Sequence, residues 1–163
     1  MLASQTLVPE QLIDIVEGGA SITVATVDSR GRPETVRCAG ATVAPDRASV
    51  ELFVPAQTGA RTRMNLEAGS AVSATICRVF DYYTVQLKGR CKEVREARPA
   101  ERDLTLAYRA AFTESLYHVG MSRGLVRRLA VWPAFVVEVA VQTIFEQTPG
   151  PNAGEQLAPE GGK

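Results

Sequence analysis

Between Tyr82 and Val94 the chain alternates. Tyr83, Val85, Leu87, Gly89 and Cys91 fall on one side of an extended backbone, and Thr84, Gln86, Lys88, Arg90 and Lys92 on the other. On a helix the same residues would spread their apolar set around the whole circumference, so a period of two points to a strand. The strand buries one face and wets the other, as strands of antiparallel sheets do. Such a strand obliges the rest of the chain to supply partners for its backbone edges.

Candidate partners recur along the sequence. Ser21 to Asp28 alternates into the turn Ser29-Arg30-Gly31-Arg32-Pro33, and a return strand spans Thr35 to Ala44, which together predict a hairpin. The return strand carries only small residues at Cys38, Ala39, Gly40 and Ala41. Small side chains in mid-strand let another strand, a helix or a flat ligand approach the backbone. Further strands are expected over Ser49 to Val54, Ala71 to Arg78, and a last one with Phe135, Val137, Val139 and Val141 on one face, ending near Glu146. Short helices are expected after Pro9, stopped by Gly18-Gly19, and within Pro55 to Ser70. A long helix opens at Pro99 with Leu104, Ala107, Tyr108, Ala111, Phe112 and Ser115 on one stripe, and another covers Ser122 to Val131. The expected class is α+β, mainly β with helices: a six-stranded antiparallel barrel with peripheral helices, with an open α+β sheet as the alternative. Residues 1–146 form one domain, and 147–163, rich in Pro and Gly without periodicity, form a flexible tail.

Chemistry-bearing residues are few. The 163 residues balance 18 basic against 18 acidic side chains, so no global field draws the chain to nucleic acid or to a membrane surface. No apolar run reaches membrane-spanning length, and Met1 to Pro9 lacks the basic start and apolar run of a leader. Cys38, Cys77 and Cys91 match neither zinc spacing nor a disulfide framework, which suits free thiols in a reducing cytoplasm. His118 is the one histidine and cannot form a triad alone; no metal spacing, Walker loop or dinucleotide fingerprint exists. Catalytic residues therefore stay unassigned, and an enzyme built from this chain needs a cofactor for its reactivity. The stretch Gln57 to Arg63 is the candidate anion site. Thr58 can cap the helix that follows, free N–H groups lie near Ala60 to Thr62, Arg61 and Arg63 add charge, and Thr62 adds a hydroxyl. An ordinary capped surface helix with solvated arginines would look the same.

The segments "VATVDSRGRP", "ELFVPAQTGARTRMNL" and "TVQLKGRCKEV", in this order, resemble the pyridoxamine 5′-phosphate oxidase-like proteins, the FMN-binding split β-barrels, over roughly Leu12 to Val94. The resemblance implies a homodimer with two FMN molecules in clefts between subunits, acting as an oxidoreductase on a small molecule. It places Val36, Arg37, Cys38 and Ala39 along the isoalloxazine, Pro55 and Ala56 at the strand end before the phosphate helix, and Arg61 and Thr62 on the phosphate. It also places Thr84 of the partner subunit near the ring. A Lys expected beside Arg61 is replaced by Thr62, so Arg63 stands in, and FMN binding is expected to weaken. The Arg-and-His motif that holds substrate in true pyridoxamine phosphate oxidases is absent, so pyridoxal phosphate synthesis is not expected. A flavin, deazaflavin or haem module without turnover is the alternative, with His118 as the available haem ligand.

Overall fold

The structure is a computed structural model that describes residues 6–157. Residues 1–5 and 158–163, the latter the end of the expected tail, lie outside it. Seven strands form one antiparallel sheet: β1 (Ser21–Val27), β2 (Pro33–Arg37), β3 (Ala41–Val43), β4 (Ser49–Pro55), β5 (Ala71–Cys77), β6 (Thr84–Glu96) and β7 (Ala134–Glu146), in the order β2-β1-β5-β6-β7-β4-β3. The expected count of six is corrected to seven because the return strand of the first hairpin breaks at Cys38-Ala39-Gly40. Gly40 sits at φ +136°, a backbone region almost reserved for glycine that interrupts the regular extended run, and β3 begins after it.

That break closes the barrel. β2 and β3 lie at opposite edges of the sheet, yet three residues join them, so the edges cannot stand more than ~15 Å apart. The link bonds to both sides: Cys38 N–H donates to Ile22 C=O on β1, Ala39 N–H donates to Phe53 C=O on β4, and Phe53 N–H donates back to Gly40 C=O. The sheet is thus pinned shut at one end, and β2 beyond the link keeps a free edge. Inward positions follow the alternation: Ile22, Val24, Leu52, Val54, Ile76, Val85, Leu87, Val137 and Val139 make the core.

Among the described residues four α-helices flank it: α1 (Ile13–Glu17), α2 (Ala60–Met64), α3 (Arg102–His118) and α4 (Arg123–Val126). The helix expected over Ser122 to Val131 is a single turn, since only Val126 of α4 reaches the core. α3 covers the pinned end. Tyr108 donates its O–H to Ala20 C=O at 2.6 Å and stacks on Phe112 at 5.8 Å, and a Cβ on Gly40 would meet Leu104 and Tyr108. The body that the small residues Cys38 to Ala41 admit is therefore a helix of the same chain.

The tail is attached as far as described. Gln147 N–H donates to Thr84 C=O, Gly154 N–H to Glu146 C=O, and Leu157 N–H to Ile144 C=O, folding 147–157 back along β7.

Candidate functional site

A cleft of about 930 Å³ lies between the β1–β2 turn and the exit of α2. The turn side contributes Val27, Asp28, Arg30, Arg32, Pro33 and Glu34; the helix side contributes Arg61, Met64, Asn65, Leu66, Glu67 and Ser70. Local chemistry shapes both walls. Asp28 accepts from the N–H groups of Arg30 and Arg32 and from Arg32 Nε at 2.7 Å, so one carboxylate both closes the turn and neutralises Arg32. Those bonds, led by the Arg32 N–H, hold its carboxyl below the usual range. Asn65 Nδ2 donates to Thr26 Oγ1 at 3.1 Å, tying the end of α2 to β1.

Two features of the cleft are open to a ligand. Met64 is 84% exposed and, with Val27 and Leu66, offers an apolar wall. Arg61 is 82% exposed and, among the described residues, reaches only Glu34, at a loose 3.8 Å, so its guanidinium is available for an anion.

Of the other residues expected at the site, none lines this cleft. Thr58 makes no side-chain cap; Gly59 is the N-cap of α2, because a Cβ there would press on Val54, Phe135 and Pro55 C=O. Thr58 and Ala56 are exposed beside it, and Pro55 is buried opposite Ala134. Thr62 points inward, and its Oγ1 is buried without a hydrogen-bond partner, so it offers no phosphate contact. Arg63 is committed to Glu96 at 2.6 Å and to the Phe135 ring at 5.2 Å. Val36, Cys38 and Ala39 are buried. Burial pushes the Cys38 thiol up to about 12, so it is no thiolate. Arg37 donates to Ser21 Oγ and lies over Phe112 of α3. Thr84 donates its O–H to Tyr82 C=O at 2.7 Å, and its N–H goes to Thr148 Oγ1, at the far end of β6. His118 is exposed at the end of α3, edge-on to Tyr117, and does not line the cleft.

Sequence reasoning missed Val27, Arg30, Arg32, Pro33, Met64 and Asn65. The available signal was the turn "DSRGRP" itself, with two arginines at its tip, but nothing local places that turn beside α2. No group of three or more His, Cys, Asp or Glu side chains among the described residues could hold a metal ion. No described helix is long and apolar enough to cross a membrane. The cleft offers an anion the Arg61 guanidinium and offers a planar group the apolar wall of Met64, Val27 and Leu66. The ribbon from Cys38 to Ala41 is covered by α3 and cannot carry the ring within one chain.

No protein-family model matches the chain, and no curated protein does. Solved structures do. The Group A Streptococcus protein HupZ aligns with TM-score 0.55 at 19% identity, over 91% of this chain and 100% of that one. A candidate pyridoxamine 5′-phosphate oxidase from Lactobacillus delbrueckii aligns with TM-score 0.54 at 17% identity, over 88% and 97%. An F420 reductase aligns with TM-score 0.52 at 11% identity, over 84% and 98%. At these identities the likeness establishes the split-barrel fold.

Proposed function

We propose that this chain is a flavin-nucleotide-binding module, with FMN as its cofactor, that serves as an oxidoreductase for a small molecule in the cytoplasm. The observation that carries the reading is Arg61, an almost unpaired guanidinium on the rim of a cleft with an apolar wall. Arg61 would hold the phosphate, with Met64 and Val27 packing on the planar body. Asp28 would keep Arg32 neutralised and the turn in place. A bound flavin supplies hydride transfer, chemistry that the chain's own side chains lack. A second copy of the chain would complete the site, since the ring has no free ribbon to rest on within one protomer. The fold shared with an F420 reductase supports a deazaflavin as the second cofactor. Haem is the lower alternative, with His118, its available ligand, standing outside the cleft.

Titration of the protein with FMN and with F420, followed by fluorescence quenching, tests the reading alongside sedimentation of the protomer. Arg61→Ala should weaken FMN by roughly 10- to 100-fold, the worth of a charged hydrogen bond. No binding of either flavin at high micromolar concentration, or equal binding by the variant, would refute it.

A further inference from the structure

Two apolar features stand at opposite ends of the sheet. One is the β5–β6 turn, Arg78 to Tyr83, where Phe80 is 62% and Tyr82 64% exposed. Tyr82 sits at φ +59°, an outlier for a bulky residue. Side-chain bonds fix it there. Arg78 Nε donates to Asp81 at 3.0 Å, and its guanidinium lies over the Phe80 and Tyr83 rings. Asp81 accepts from the Tyr83 N–H, and Tyr82 C=O accepts from Thr84. The turn therefore holds two aromatic rings in water. The other feature is the apolar wall of the cleft, Met64 and Val27. Within one chain the two cannot meet: Ser21 pairs with Cys77 beside the turn, and Val27 lies six residues further along β1, ~20 Å away.

The face between them suits a second copy of itself. Opposite the core residues, β1 and β5 present outward only Ser, Thr, Ala, Val and Cys side chains, none charged and none buried. Depletion of charge marks the centre of an interface. Thr23, Thr75 and Gln86 stand in one row across β1, β5 and β6. Val27 is four residues from that row toward the cleft, and Tyr82 is four residues from it in the other direction, ~14 Å each. A two-fold axis along the row therefore lays each turn on the other copy's cleft, the reciprocal contact that such symmetry requires. The same axis sets Lys88, two residues from the row, against Thr84 rather than against a second lysine. Arg37, in this row on β2, is drawn aside to Ser21 Oγ and the Phe112 ring. An axis parallel to the strands would pair turn with turn and leave both clefts open. Over two copies the face of β1, β5 and β6 amounts to ~700 Å². The exposed parts of four aromatic rings carry the total past the ~1,000 Å² that a specific interface needs.

We propose that a second copy of this chain docks on the β1–β5–β6 face, with the partner's Phe80 and Tyr82 covering the cleft at Met64 and Val27. The ligand beneath that cover rests on the flavin reading, whereas the docking itself needs no ligand. A planar group held at Arg61 is then enclosed between the partner's rings and Met64.

Sedimentation equilibrium of the full chain without ligand tests the docking. The parent should be a dimer at high micromolar concentration. Phe80→Ser/Tyr82→Asn should raise its dissociation constant at least about tenfold, the scale for removing two aromatic anchors. Asparagine tolerates a left-handed backbone, so this variant keeps the turn. Thr23→Glu and Thr23→Arg each place like charges on the axis, so each alone should be monomeric and an equimolar mixture should restore the dimer. FMN titration is run on the same samples. A monomeric parent, a turn variant that dimerises like the parent, or a Thr23→Glu variant that stays dimeric overturns the proposal, whatever FMN does. A dimer that responds to these variants but binds no FMN refutes the flavin reading and supports the docking.

Discussion

Gly40→Ala strikes the residue that closes the barrel. At φ +136° an alanine carries the strain of a backbone region almost reserved for glycine, about 1–3 kcal/mol. Its Cβ would also come within 3.2 Å of Leu104 Cδ2 and 3.5 Å of Tyr108 Cβ. The leucine tip can yield, but Tyr108 is fixed by its bond to Ala20 and its stack on Phe112, so α3 must lift slightly, costing about 1 kcal/mol more. The sum is about 2–4 kcal/mol, which for a domain of this size lowers the melting temperature by about 5–15 °C. Gly31→Ala is the control: it shares a positive φ, +76°, but its Cβ meets nothing within 4 Å. It should cost only about 1–2 kcal/mol. Thermal unfolding followed by far-UV circular dichroism compares the two. If Gly40→Ala melts no lower than Gly31→Ala, the account of the closure is wrong.

Three further predictions are independent of that one. Hydrogen bonds from Arg95 first, and then from Arg98, hold the Glu101 carboxyl down at about 2, against an ordinary 4.5. A depressed acid stabilises the fold above its unfolded value, and that share is lost as pH falls from 4.5 toward 2. Urea unfolding of Glu101→Gln should lack this acid-side loss, on the order of 1–2 kcal/mol after solvent screening. Among the cysteines, Cys38 and Cys91 are buried and Cys77 is half-buried, so a disulfide reagent should label one thiol in the native protein and three in denaturant. Rapid native labelling of all three would contradict the packing. Thr62→Val replaces a buried hydroxyl that has no partner, and chemical denaturation should show equal or higher stability, by up to about 2 kcal/mol. A marked loss would mean that the hydroxyl is bonded in solution.

Much of the sheet was legible because alternation is a nearest-neighbour property. The inward set Val85, Leu87, Gly89 and Cys91 on β6 follows from a count of two along the chain, and so do Val137, Val139 and Val141 on β7. The break at Gly40 was harder to see, since small residues suit both a continuous strand and a link. At the candidate site, Arg61 was legible as a charged residue at a helix start, whereas Thr62 was not legible as an inward one. A one-turn helix shows no periodicity from which to tell its two sides.

The sequence by itself determined which segments are extended, which side of each meets the core, and where hairpin turns fall. Those choices are made over a few residues by backbone geometry and side-chain polarity. Only the tertiary structure decided that α3 would occupy the small-residue ribbon and that the β1–β2 turn would face α2 across a cleft. Each of these joins segments far apart in the chain, and such meetings depend on how the whole sheet curls and closes, which no local pattern encodes.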